Sequence, residues 1–300
     1  MFPHRKKIIW ISWTLLLALG LSACASVSSP EPVPTVVVAT FTPAPPTPTL
    51  EPMALTVNGE GVTVVEFEAE VQRYLAAQSA LGSPVDEQAA AEVVADDLIA
   101  QLLLAQAARA DGFTLDDAAL QARIDSLAAQ IGGAEALSAW RNARGYSEQA
   151  FRSALKRAVE AAWMRDTIAA SVPGTAEQVH VQQILLYNQA TAQDFLSQLN
   201  GGADFDELAA RADPLTRGDL GWVPRGYLLD PQIEEAAFGL EAGQYSDVIA
   251  TNVGFHILKV LERDPHRTLS PDAYLVLQEL ALKNWVEEQK RLADISLAER

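Results

Sequence analysis

Apolar residues recur at helical spacing through the first half of the sequence. Val94, Leu98 and Leu102 lie four residues apart, which predicts a helix with one apolar face. The same periodicity predicts two further helices before residue 170, on the apolar positions Leu120, Ile124, Leu127 and Ile131, and Phe151, Leu155, Val159 and Trp163. Ahead of them, residues 54–66 predict a pair of short strands joined by the turn dipeptide Asn58-Gly59.

The pattern changes after Pro173-Gly174, a dipeptide that ends the helical region and indicates a domain boundary. Beyond it, strand-like segments are predicted over residues 179–187, 218–223 and 254–260. Helical segments are predicted between them, over residues 192–199, 205–209 and 231–238. Together these segments predict an α+β module that covers residues 176–264.

One more helix is predicted over residues 270–292, with Ser270 as its N-cap and Pro271 in its first turn. Its apolar side carries Leu277, Leu280 and Trp285. On an isolated helix that side would be exposed to water, so we expect the helix to pack back on the N-terminal helices. The module of residues 176–264 is then an insertion between two helical segments.

The N-terminus has the layout of an export signal. The basic run Arg5-Lys6-Lys7 precedes an apolar stretch, residues 8–21, that is too short to cross a bilayer as a helix. The stretch ends in Leu21-Ser22-Ala23-Cys24, which resembles the bacterial lipobox, where the cysteine is lipidated and becomes the new N-terminus. We therefore predict a lipoprotein signal peptide over residues 1–24, with Cys24 as the lipidation site; an ordinary cleaved signal with a coincidental cysteine is the alternative.

Residues 25–53 are rich in Pro, Thr and Val, a composition typical of an extended, semi-rigid tether. A tether is useful when a folded part must stand away from a surface, so this segment favours a lipid anchor. Cys24 is the single cysteine of the chain, which excludes an internal disulfide and a zinc site built on a cysteine cluster.

The charge of the chain excludes one class of partner. With 22 basic and 39 acidic residues, the formal net charge is −17, which argues against binding to a nucleic-acid backbone. The four histidines show no metal-ligand spacing, and the sequence has no glycine-rich phosphate loop and no hydrolase motif. We therefore predict no cofactor and no nucleic-acid partner.

Four short segments follow one another in the module: Gly218-Asp219-Leu220-Gly221-Trp222, Arg225-Gly226, Ile233-Glu234-Glu235-Ala236-Ala237-Phe238 and Gly254-Phe255-His256-Ile257-Leu258-Lys259-Val260. In this order they resemble the signature of the parvulin-type (PpiC or rotamase) peptidyl-prolyl isomerases. The lipobox and the helices are similar to those of PrsA-type foldase lipoproteins and SurA-type periplasmic chaperones. The resemblance implies an α+β fold, with a small antiparallel sheet flanked by helices over residues 176–264. It also implies a helical chaperone-like domain over residues 54–175 and a C-terminal segment, residues 265–300, that packs on that domain.

Isomerases of this family speed the rotation of X-Pro peptide bonds, whose barrier of about 20 kcal/mol comes from amide resonance. No covalent bond breaks, so the site needs an apolar pocket for the proline ring and polar groups near the twisting bond. By resemblance, the polar catalytic positions are His256, Asp213, Gln183 and Thr251. The substrate-binding positions are Leu220, Leu229, Ile233 and Phe238.

The sequence departs from the family pattern at one of these positions. The first strand of parvulins usually carries His-Ile-Leu, and here it reads Gln183-Ile184-Leu185. His180 is a poor substitute, because an odd offset along a strand places its side chain on the opposite face. Glutamine can donate and accept hydrogen bonds but cannot change its charge, so we expect reduced isomerase activity. Leu220 and Ile233 also have a simpler interpretation, as core residues of the module.

The leading hypothesis is a membrane-tethered isomerase in the cell envelope that binds unfolded exported proteins and speeds their X-Pro rotation. The alternative is a chaperone whose helices and degenerate isomerase module hold clients without catalysis, and Gln183 favours it. A structural envelope lipoprotein would explain the tether but not the motifs. The expected partners are therefore unfolded exported proteins, together with a membrane through the lipid on Cys24.

Overall fold

The computed structural model describes residues 51–298. The predicted signal peptide with Cys24, and the tether up to residue 50, lie outside the described residues. Among the helices that are described, none combines the length and the apolar character needed to cross a membrane.

The chain begins with a hairpin and five helices. Strands β1 (Met53–Val57) and β2 (Glu60–Thr63) are antiparallel and turn at Asn58, as predicted. The helices that follow are α1 (Val64–Ala80), α2 (Glu87–Ala110), α3 (Asp117–Ile131), α4 (Ala134–Ala143) and α5 (Glu148–Ala170). Four of these helices have an N-cap residue whose side chain accepts a hydrogen bond from a backbone N–H of the first turn, namely Thr63, Asp86, Asp116 and Ser147. The three helices predicted from periodicity are confirmed as α2, α3 and α5.

The α+β module holds a four-stranded antiparallel sheet. Its elements are β3 (Thr175–Leu186), α6 (Gln189–Asn200), α7 (Phe205–Ala212), β4 (Asp219–Pro224), α8 (Pro231–Gly239), β5 (Ile249–Thr251) and β6 (Gly254–Thr268). The strands lie in the order β4-β3-β6-β5. The predicted α+β class and the small antiparallel sheet are confirmed. Strand β6 is longer than the predicted 254–260, because its second half continues to pair with the first half of β3.

Helices cover both faces of this sheet. On one face, Val181, Leu258 and Val260 pack against Ile233 and Phe238 of α8. On the other face, strand residues pack against α6 and α7 through Ile184, Ile257, Phe195, Leu199, Phe205 and Leu208. Alternating strand positions therefore serve two separate apolar clusters, as expected when a sheet is buried on both sides.

The C-terminal residues return to the helical part. Helix α9 (Pro271–Leu292) begins at the predicted cap Ser270 and packs against α2 and α5, where Trp285 meets Leu104 and Ile168. A short strand, β7 (Ile295–Leu297), then pairs with β1. The sequence did not predict β7, because three residues are too few to show a periodicity. The packing of α9 on the N-terminal helices agrees with the exposed apolar side that the sequence indicated.

An ion pair is buried between α1 and α5. Arg157 Nη2 donates to Glu66 Oε1 over 2.5 Å, and both side chains are only 8% exposed. One turn further along α5, Glu160 is buried and accepts a hydrogen bond from Arg109 of α2. These charges link α5 to α1 and to α2.

Candidate active site

Three polar side chains on neighbouring strands form a hydrogen-bonded chain. His256 lies on β6, between Gln183 on β3 and Thr251 on β5. Its Nδ1 is 3.2 Å from Gln183 Oε1, and its Nε2 is 2.9 Å from Thr251 Oγ1. Alternation along β6 places His256 on the same face as Leu258, which is the face that α8 covers. We call Gln183, His256 and Thr251 the polar network.

The polar network favours one protonation state of the imidazole. His256 is only 5% exposed, and this burial lowers its pKa below 6.5, an effect that the carboxylate of Asp230 partly opposes. The ring is therefore neutral at pH 7, with one donor and one acceptor nitrogen. Because the amide oxygen of Gln183 can only accept, Nδ1 carries the proton and Nε2 accepts from the hydroxyl of Thr251.

The loop before β4 supports the polar network through its backbone. The N–H of Gln183 donates to the carbonyl of Gly218 over 2.8 Å. Gly218 has φ +69°, and a Cβ built there would lie 1.8 Å from the carbonyl oxygen of Gln183. Only glycine therefore fits at this close approach.

Asp213 shapes that loop. Its carboxylate accepts hydrogen bonds from the hydroxyl and the N–H of Thr216 and from the N–H of Leu215. The same bonds lower the pKa of Asp213, led by the bond from the Thr216 hydroxyl. The structure thus connects Asp213 to the polar network by way of Gly218 and the backbone, and its predicted catalytic role stays a prediction.

The four predicted substrate-binding residues fall into two groups. Ile233 and Phe238 of α8 are buried, and Leu220 of β4 packs partly buried against them. Leu229 is 96% exposed, in the loop between β4 and α8. The apolar cluster beside the polar network is therefore well packed, and Leu229 stands apart from it at the surface.

His180 contacts a different set of side chains. Its Nε2 is 2.9 Å from Asp219 Oδ1, and its ring stacks on Trp222. It does not take the place of Gln183, which agrees with its odd offset along β3.

Sequence reasoning missed Asp230, which caps α8 and lies close enough to His256 to act on its charge. The Asp-Pro start of α8 was the available signal for that cap.

No cluster of three or more potential metal-ligand side chains occurs among residues 51–298. The polar network consists of an amide, an imidazole and a hydroxyl, which can donate and accept hydrogen bonds. It suits a reaction that changes the polarity of an amide without breaking a covalent bond.

Comparison with known proteins identifies two family models in the chain. Residues 182–262 match the PPIC-type PPIase domain, and residues 5–165 match the SurA-like N-terminal domain. The foldase protein PrsA of Halalkalibacterium halodurans is 33% identical over 119 residues, which cover 38% of this chain and 33% of the relative. A parvulin-like PPIase of Rickettsia bellii is 36% identical over 97 residues, covering 30% of this chain and 34% of the relative.

The crystal structure of PrsA from Bacillus cereus is 19% identical, with a TM-score of 0.42 over 80% of this chain and 86% of that one. In the sequence matches, the chain spans about a third of the length of these curated relatives.

Proposed function

Because the chain belongs to the SurA-like N-terminal domain family and carries a PPIC-type PPIase domain, we propose that it is a peptidyl-prolyl isomerase and folding factor for exported proteins. The observation that carries this proposal is the polar network, in which a buried neutral imidazole is held between an amide and a hydroxyl. The predicted signal peptide and tether support a location outside the cytoplasm, with a lipid anchor on Cys24. Unfolded chains with X-Pro bonds would be the substrates.

The proposed division of labour follows the fold. Residues 54–175 form the helical chaperone-like part, and the isomerase module begins at residue 176. We place the end of the module at Thr268, where β6 ends, instead of at residue 264. Residues after it join the helical part through α9 and β7.

The site would act by stabilising a twisted X-Pro bond. Twisting removes amide resonance, so the carbonyl becomes less polarised and the imide nitrogen more basic. An environment that excludes water and supplies fixed dipoles favours that form over the planar one. In the polar network the hydrogen-bond directions of His256 are fixed on both sides, so these dipoles need not reorganise during the rotation.

A direct rate measurement tests the proposal. We expect the mature chain, expressed from residue 25 without the lipid, to speed cis-to-trans conversion of a proline tetrapeptide in a chymotrypsin-coupled assay. The increase in rate should be proportional to protein concentration. A conversion rate equal to the uncatalysed rate at micromolar protein would reject the isomerase proposal.

A chaperone without catalysis is the second candidate, and Gln183 favours it because the family usually has histidine there. That candidate predicts suppressed aggregation of an unfolded client with no increase in isomerisation rate. In that case the variant Gln183→His would distinguish two causes of the missing isomerase activity. Activity gained by the variant would show an intact pocket with an altered polar network, and no gain would show that the pocket itself is lost.

The pH dependence of the rate should follow His256. Burial keeps its pKa below 6.5, so the neutral ring is maintained at pH 7 and above. Protonation makes Nε2 a donor and removes the acceptor for the hydroxyl of Thr251. We therefore expect a constant rate from about pH 9 to pH 7 and a decrease only below pH 6.5.

The free energy of unfolding should also decrease as the pH falls. Between the lowered pKa of folded His256 and its unfolded value, the unfolded chain binds more protons, so this contribution to stability is lost as the pH falls below 6.5. Gln183→Glu keeps the acceptor at Nδ1 but adds a negative charge, which should raise the pKa of His256 and move the decrease in rate to higher pH. Identical pH profiles for the wild type and Gln183→Glu would contradict this assignment.

A further inference from the structure

We propose that four exposed apolar side chains around the polar network select prolines that are flanked by apolar residues. They are Tyr187, Leu215, Leu229 and Val253, which we call the apolar rim. The inference rests on the proposed isomerase function and specifies the substrate class of the same site.

The exposure of the apolar rim is unusual within the module. Tyr187 is 82%, Leu215 94%, Leu229 96% and Val253 55% exposed. Over residues 175–268, these four are the complete set of large apolar side chains that are exposed in the described structure. Scattered exposed apolar residues need no explanation, but a group that surrounds one site is typical of a surface that binds another chain.

Two members of the apolar rim lie at the ends of the strands that carry the polar network. Tyr187 directly follows β3, whose last residue, Leu186, pairs with Phe255 beside His256. Val253 lies in the turn between β5 and β6, and its N–H donates to Thr251 Oγ1 over 3.2 Å. Both side chains therefore stand at the end of the sheet where His256 lies.

The other two members lie on the loops that border the polar network. Leu215 is in the loop shaped by Asp213, whose last residue, Gly218, accepts the hydrogen bond from Gln183. Leu229 directly precedes Asp230, the N-cap of α8, which is the helix that covers the sheet face on which His256 lies. Four separate chain segments thus bring an apolar side chain to the edge of one site.

Chain geometry connects the apolar rim to the substrate. Consecutive Cα atoms of a peptide are about 3.8 Å apart, so a proline bound beside His256 carries its neighbouring residues across the edge of the site. Apolar side chains at those positions would remove the apolar rim from water, whereas polar side chains would lose their hydration there. The occupant is therefore an extended segment with bulky apolar residues next to its proline.

A matched pair of peptides tests the inference. The two peptides have the same sequence except for Leu or Gln before the proline, and both the isomerisation rate and the binding, by fluorescence anisotropy, are measured. We expect kcat/KM to favour the Leu peptide on the order of tenfold. The double variant Leu215→Ser/Leu229→Ser should bring the ratio close to one. Leu275→Ser, on the exposed side of α9, is the control and should leave the ratio unchanged.

The outcomes separate this inference from the proposed function. Tighter binding of the Leu peptide without any increase in rate would reject the isomerase function but support the selection of apolar neighbours by the apolar rim. If both peptides are isomerised at equal rates and the double variant changes neither rate, selection by the apolar rim is rejected and the isomerase function is supported. If light scattering shows a dimer that the double variant dissociates, a second copy covers the apolar rim, and the inference is overturned.

Discussion

Replacing His256 by Ala is expected to lower the isomerase rate of the chain on the order of 100-fold. The imidazole bonds both Gln183 and Thr251, at 3.2 Å and 2.9 Å, so its loss breaks the polar network at its centre. The two remaining polar groups would then reorient or bind water, and the fixed dipoles near the twisting bond would be lost. The measurement is kcat/KM with a proline tetrapeptide, alongside a thermal unfolding curve for each variant.

Two further variants make the result for His256 specific. Thr251→Val keeps the imidazole and removes the hydroxyl, which also accepts a hydrogen bond from the N–H of Val253, so we expect an intermediate loss of about tenfold in rate and a decrease in stability of about 1 kcal/mol. His266→Ala removes an exposed imidazole from the same strand, β6, and should leave the rate unchanged. Full activity of both His256→Ala and Thr251→Val, with native unfolding curves, would place the site elsewhere in the module.

The sequence predicted the residues of the polar network but not its bonds. Gln183, His256 and Thr251 were placed by resemblance, and their contacts depend on the register of β3, β6 and β5, which a periodicity of two cannot set. The structure adds that Gly218 permits the close approach of the loop to β3.

The second half of β6 was missed for a physical reason. Half of residues 261–268 are charged and the segment contains Pro265, so no apolar alternation marks it as a strand. They are held by backbone pairing with the first half of β3. Arg263 adds bonds to the carbonyls of Leu240 and Phe238 and an ion pair with Glu177. Such polar support becomes visible only once the strands are side by side.

Contacts between distant parts of the chain could also not be predicted from the sequence. The loop that carries Leu229 and Asp230 rests on α9, since a Cβ at Gly226 would collide with Leu280 and press on Leu277. The apolar side of α9 was predicted to pack on the N-terminal helices, and it does so through Trp285. The same helix therefore touches both the helical part and a loop beside the polar network, which provides a physical connection between the two parts.

Replacing Arg157 by Met is expected to lower the free energy of unfolding by about 3–5 kcal/mol. The substitution keeps most of the apolar stem but leaves the carboxylate of Glu66 buried without its guanidinium partner. A buried charge without a partner costs far more than the pair contributes when intact. Urea unfolding, followed by circular dichroism at the helical band, gives the free energy.

The control and the double variant decide why the buried pair is present. Arg291→Met breaks a pair on α9 in which the arginine is 74% exposed, so it should change stability by less than about 1 kcal/mol. In Glu66→Leu/Arg157→Met both charges are gone, and stability should return close to that of the wild type, because apolar groups of similar volume can replace a buried pair. Equal effects of Arg157→Met and Arg291→Met would contradict the prediction. If the double variant is as stable as the wild type but loses suppression of client aggregation, the buried charges serve to orient α5 against α1 and not to stabilise the fold.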